Sequence, residues 1–171
     1  MELKLSEDLS KDEVFETVKA YLDNHGFTVV SFDQTRPWGG FYVIEEQQAA
    51  KFIDLFFNDI ENSEKYSTGK ISPKILIVEK GKRLSWQYHF RRAELWKVIG
   101  GEVGVITSEN DEEGETQLKK TGDIIKLHQG ERHRLIGLES WGIVAEIWQH
   151  TDNEQLSDEN DIVRIQDDFG R

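Results

Sequence analysis

At 171 residues the chain has the length of one domain and can bury a core without staples. A hydrophobic share of 37% with 11% aromatics excludes a disordered chain, and the lack of cysteine excludes disulfides and thiolate chemistry. A formal net charge of −12 argues against nucleic acid or an anionic membrane as a partner, so a phosphorylated ligand needs a local gathering of basic side chains.

The opening MELKLSEDLSKDE has no apolar run, which predicts neither a leader nor a membrane span and points to a cytoplasmic protein. Ser10-Lys11-Asp12-Glu13 has capping-box spacing. Val14, Phe15, Val18, Tyr21 and Leu22 then recur at helical intervals, and Gly26 stands where a helix would end. Phe27–Phe32 reads as a strand. Arg36-Pro37-Trp38-Gly39-Gly40 marks a turn before the apolar run Phe41–Ile44. Ala49, Phe52, Ile53, Phe56 and Phe57 share one face, predicting a helix over 47–58, and the polar run Asn58–Thr68 reads as an exposed loop.

From Lys74 onward the pattern changes to short strands: 74–79, 83–89, 94–99, 102–107, 117–119, 123–127, 133–136 and 141–149, with Ser108–Glu115 as a hairpin turn. The fold class is mainly β, an antiparallel sandwich or barrel with an N-terminal α-helical decoration. The expected organisation is one domain over 1–171: decoration over 1–70, barrel core over 71–150, and a tail over 151–171 that packs on the barrel. Trp86 and Trp96 read as core.

Gln87 and His89 are two apart and so share one face of a strand. Glu94 joins them if the chain reverses over Phe90–Ala93, and His133 completes a set of three to four N/O ligands. Such a set suits one divalent ion, zinc first, with Mn, Fe, Co or Ni also compatible. A weak amide among the ligands favours a catalytic or substrate-binding ion over a closed structural one.

Gly81-x5-Gln87-x-His89-x4-Glu94-x6-Gly101 and Gly122-x5-His128-x-Gly130-x2-His133 resemble the two signature motifs of the cupin superfamily. Arg36-Pro37-Trp38-Gly39, Leu84-Ser85-x-Gln87-x-His89, Arg92-Ala93-Glu94-x-Trp96, Gly130-x-x-His133-Arg134 and the tail Asp161-Ile162-Val163-Arg164…Gly170-Arg171 are similar to the type II mannose-6-phosphate isomerases. The resemblance implies a double-stranded β-helix (jelly roll) holding a metal. It also implies aldose–ketose isomerisation of a sugar phosphate, either mannose 6-phosphate or the heptose phosphates of related stand-alone cupins. Departures from the family pattern at Phe90, Leu95 and Phe169 fall where they could reshape the sugar pocket.

Isomerisation needs a base and groups that stabilise charge on two sugar oxygens. Glu146 lies in an apolar strand with Val144 and Trp148 as alternation partners, so burial should raise its pKa into a useful range. His128, near the metal-ligand turn, is the competing base. Arg92 and Arg134 are the first candidates for the phosphate, with Arg36, Lys74 and Arg171 behind them, because guanidinium groups grip phosphate bidentately. The alternative function is a non-catalytic cupin that binds a sugar or sugar phosphate. Partners are thus a small-molecule sugar phosphate and, from the apolar helix face, a homodimer mate.

Overall fold

The computed structural model describes residues 3–61 and 69–171. Helix α1 (Lys11–Asn24) opens with the expected capping box, Ser10 Oγ accepting from the Glu13 amide and the Glu13 carboxylate accepting from the Ser10 amide at 2.8 Å. Its buried stripe is Val14, Phe15, Val18, Tyr21 and Leu22, and Gly26 follows at φ +70, the left-handed conformation that closes a helix. Strands β1 (Val29–Asp33) and β2 (Gly39–Ile44) come next, and a single 3-10 turn leads into α2 (Ala49–Phe56). With 8 residues α2 is too short to persist alone in water. Burial of Phe52, Ile53 and Phe56, worth roughly 1.5–3 kcal/mol per large apolar side chain, holds it in place. Of the polar loop expected over 58–68, residues 62–68 lie outside the described residues. Asn58, Asp59 and Glu61 are exposed, and Ile60 is buried.

The later strands are β3 (Lys74–Val78), β4 (Trp86–Tyr88), β5 (Arg92–Gly100), β6 (Glu102–Ser108), β7 (Gln117–Lys120), β8 (Ile124–Leu127), β9 (Arg132–Gly137), β10 (Gly142–His150) and β11 (Val163–Gln166). They form two antiparallel sheets, ordered β1-β2-β3-β10-β5-β8 and β11-β4-β9-β6-β7. Crossing from one sheet to the other after β3, β4, β5, β7, β8, β9 and β10 winds the chain into a double-stranded β-helix. Every strand expected after Lys74 forms, with small shifts at the ends. β11 is additional: its residues are mostly exposed and carry no alternation, and pairing with β4 makes it a strand. β1 and β2, from the segment read as decoration, extend the six-stranded sheet.

Alternation sorts each strand into two cores. Ile75, Ile77, Ile143, Ala145 and Ile147 face outward against α1 and α2. Leu76, Val78, Val98 and Val144 face inward and meet Val103, Val105 and Leu135 of the opposing sheet. Covered on both faces, β3 is buried at all 5 positions, which is why Ile75–Val78 reads as an unbroken apolar run. No helix among the described residues is long and apolar enough to cross a membrane.

Candidate metal centre and substrate cavity

β4, the turn after it and β9 deliver the ligand set. Gln87 and His133 stand directly opposite in the β4–β9 ladder and so share a face, and Glu94 reaches the same point from β5 in the other sheet. His89, Glu94 and His133 are all buried, each offering a ligand atom within 4.8 Å of the others. His89 Nδ1 faces the Asp161 carbonyl at 2.6 Å and His133 Nδ1 faces the Glu131 carbonyl at 3.0 Å. A ring nitrogen against a carbonyl must carry its proton, so both Nε2 atoms are left as lone-pair donors. His89 Nε2 is 3.1 Å from Glu94 Oε1, and His133 Nε2 is 3.5 Å from Glu94 Oε2.

These residues fit a divalent cation. Two atoms each about 2.1 Å from a shared ion stand about 3.0–3.4 Å apart, close to the separations found. Among the described residues Glu94 Oε2 and His133 Nε2 are buried with no hydrogen-bond partner, an unfavourable arrangement that a cation would relieve. The long contact from Arg92 Nη2 to His89 Nε2, at 3.3 Å, is an interaction that a cation would replace. Gln87 lines the cavity beside Glu94, and its Oε1 accepts from Ser85 Oγ at 2.6 Å. Burial lowers the His133 pKa to about 4, so its imidazole is neutral and ligand-ready at pH 7. Burial alone would raise Glu94, but His89, Arg92 and His133 outweigh it and hold the carboxyl well below its ordinary value.

Glu146 projects from β10 into the same cavity, as its alternation with Val144 and Trp148 predicts. Trp96 Nε1–H donates to Oε2 at 2.8 Å and Trp148 Nε1–H to Oε1 at 2.9 Å. Burial, then the Glu94 charge, push its pKa up to about 7, against the pull of Lys74 and Arg92. Trp96 is therefore core, as expected, and also a wall of the site. His128 is placed elsewhere: it is exposed in the turn after β8, its backbone is bonded to Glu131, and it is not among the cavity-lining residues.

The basic residues divide by strand parity. Arg92, two before Glu94, points inward. Its Nε donates to Glu94 Oε1 at 2.8 Å and its Nη1 to Ser157 Oγ at 2.9 Å, while the guanidinium stacks 3.7 Å over Trp148. Arg134, adjacent to His133, points to the opposite face and does not reach the cavity. It is fully buried outside the barrel, donating to the Leu84 carbonyl, Glu113, and both the side chain and carbonyl of Gln166. Its expected phosphate role gives way to clamping β11 onto the barrel. Lys74 lines the cavity, buried, paired with Glu159 and 4.4 Å over the Trp148 ring. Arg36 and Arg171 also line it, ion-paired with Asp33 and Asp167.

Two residues of the site had no role in the sequence reading. Asp161 accepts the Phe90 and Arg91 amides at 2.9 and 3.0 Å and the Ser157 hydroxyl at 2.6 Å, while its carbonyl fixes His89. Arg164, on β11, lines the cavity opposite Gln87. Both lie in the tail motif shared with the isomerases, the one sequence signal that singled them out.

Among curated proteins none matches this sequence. Matching solved structures include the DMSP lyase DddQ from Ruegeria pomeroyi DSS-3, 13% identical over 55% of this chain and 42% of that one, with a TM-score of 0.44. A recombinant oxalate oxidase in complex with glycolate is 14% identical over 56% and 46%, at TM-score 0.46. A cupin 2 conserved barrel domain protein from Salinispora arenicola CNS-205 is 18% identical over 49% and 65%, at 0.42. The chain thus spans less than two thirds of each of these proteins, and the activities their titles name belong to them. A family model, mannose-6-phosphate isomerase C-terminal, matches residues 55–167, from α2 through β11. The chain belongs to that family.

Proposed function

We propose that the chain is a metal-dependent aldose–ketose isomerase acting on a sugar phosphate, mannose 6-phosphate or a heptose phosphate. The observation that carries the reading is Glu146, a buried carboxyl with a pKa of about 7 on the same cavity wall as Glu94 and Lys74. A base with that pKa is half ionised at neutral pH, where proton abstraction and return are best balanced. The Glu146 carboxylate takes the C2 proton of the aldose as the electrons shift into an enediol and returns it at C1, while the O2 hydroxyl proton passes to O1, so that the C1 carbonyl becomes a hydroxyl and C2 the carbonyl of the ketose. The two tryptophan N–H groups hold its oxygens in place, so little reorganisation precedes transfer. Lys74 is close enough to lower the pKa of Glu146 and supplies positive charge beside the reacting oxygens. Held by His89, Glu94, His133 and Gln87, a divalent ion would supply Lewis-acid polarisation of the sugar carbonyl. Two imidazoles, a carboxylate and an amide suit zinc, and accept Mn, Fe, Co or Ni. Arg36, Lys74, Arg92 and Arg171 give this acidic chain a basic cavity wall for the phosphate.

Proton exchange in D2O tests the reading. Metal-loaded and chelator-stripped protein is incubated with hexose, pentose and heptose phosphates and followed by NMR. Metal-dependent deuterium incorporation at C2 of an aldose or C1 of a ketose, or aldose–ketose interconversion without it, is the expected result. Binding with neither exchange nor interconversion would overturn the isomerase. One observation favours that second outcome, a sugar-phosphate-binding cupin without catalysis: both Glu146 oxygens already accept a tryptophan N–H, as a structural carboxylate does.

A further inference from the structure

Four of the five basic side chains on the cavity wall already have a carboxylate of their own. Lys74 pairs with Glu159, Arg92 with Glu94, Arg36 with Asp33 and Arg171 with Asp167. Arg164 is the fifth, and no carboxylate among the described residues lies within ion-pairing distance of it. The imbalance stands out in a chain of net charge −12. Its neighbours add to the field: burial, then the charges of Arg171 and Arg36, lower its pKa, and Asp167 and Glu159 offset this only in part.

We infer that Arg164 is the residue that recognises the phosphate of the substrate and makes the cavity select phosphorylated over neutral sugars. The inference rests on the sugar-phosphate reading above and adds Arg164 to its basic wall. Register places the side chain: Arg164 pairs with Gln87 across the β11–β4 ladder, and residues opposite in an antiparallel pair project to one face. Ile162, two residues earlier, lines the cavity with it, whereas Val163 and Ile165 do not. A guanidinium there presents a planar fork of donors to an incoming anion. Arg36 and Arg171 flank it but must share their charge with Asp33 and Asp167. Arg134 contributes from the far side of the sheet, where its bonds to Gln166 hold β11 in register. It is a positioning residue for Arg164.

The test compares Arg164→Gln and Arg164→Lys with the unaltered protein, all metal-loaded. Binding of mannose 6-phosphate, inorganic phosphate and mannose is measured by calorimetry and, for the first two, by 31P NMR titration. Arg164→Gln should weaken both phosphates about 10- to 100-fold, the loss expected when a charge-assisted bond is removed, and leave mannose unchanged. Arg164→Lys should recover part of the phosphate binding, because it restores charge without the fork. Where turnover is seen, the glutamine variant should raise KM and leave kcat nearly intact. Phosphate affinity equal to that of the unaltered protein in both variants would overturn the assignment, as would equal losses for phosphate and mannose. If no protein turns over but phosphate selectivity still vanishes with Arg164, the isomerase falls and the anion site stands.

Discussion

The two ends of the barrel interior are built from the same strands and differ in chemistry. On β5 the inward positions run Val98, Trp96, Glu94, Arg92; on β10 they run Val144, Glu146, Trp148. On β3 they run Val78, Leu76, Lys74, and on β9 Leu135, His133. Each strand turns from aliphatic to polar as it approaches one end of the barrel. Strand parity therefore decides which face a residue lines, while its position along the strand decides whether it fills a core or joins the site. The closed end stabilises the fold by burial, and the open end collects charges whose mutual compensation is incomplete: Glu94 Oε2 and His133 Nε2 have no hydrogen-bond partner among the described residues, and the Glu146 carboxyl is pushed up to about 7.

The sharpest way to break this contrast is Glu146→Gln, which should cut kcat about 10²- to 10⁴-fold, the usual contribution of a general base. Bound metal and sugar-phosphate affinity should stay unchanged, as read by elemental analysis and calorimetry. On the isomerase reading, kcat/KM of the unaltered protein should rise with pH through about 7 and level off above it, because the Glu146 carboxylate would be the active form. Stability moves the other way. The folded-state pKa is raised from 4.5 to about 7, so the contribution of Glu146 is fully present below 4.5 and is lost as pH rises through 7. Chelator-stripped Glu146→Gln should therefore gain stability over the unaltered protein by up to roughly 3 kcal/mol above pH 7. Equal catalysis in the variant would reassign Glu146 to the core.

Leu135→Ala addresses the boundary from the apolar side. Leu135 is fully buried on the inward face of β9, two residues from His133. Its truncation should cost about 2–5 kcal/mol in denaturant unfolding, with metal stoichiometry unchanged. Loss of metal together with stability would show that the two ends do not behave separately.

Local pattern made most of this legible. His89 and Glu94 meet because a chain reversal is written into a short stretch, His133 joins them from β9 opposite Gln87, and burial of Glu146 follows from its alternation with Val144 and Trp148. The same parity rule, applied to Arg134, would have turned it away from the cavity, since it is adjacent to His133; Arg92, two from Glu94, passes that test. His128 lies in a turn, where no periodicity sets its direction. Arg164 and Asp161 were hidden for a different reason. Their placement depends on β11 pairing with β4, a non-local contact of a short, exposed strand without alternation, and on a carboxylate capping a distant turn.

Asp161 gives the finest test, because it belongs to the site without touching the cavity. Its carboxylate collects the amides of Phe90 and Arg91, the turn that carries the chain from β4 in one sheet to β5 in the other. Its carbonyl fixes the protonated Nδ1 of His89, which keeps Nε2 aimed at Glu94. Asp161→Ala leaves that carbonyl in place chemically but frees both the turn and the tail that position it. Supports of this kind usually govern metal affinity rather than stoichiometry, so affinity measured by competition with a chromophoric chelator should fall about 10- to 100-fold. Asp161→Asn keeps one acceptor oxygen and should lose less. Arg164, the second residue of β11, lies three residues further on, so the alanine variant should also blunt phosphate selectivity, while the Leu135→Ala core defect should not. If Asp161→Ala binds metal as tightly as the unaltered protein, the turn is held by the β4–β5 connection itself, and the tail serves only the anion end of the cavity.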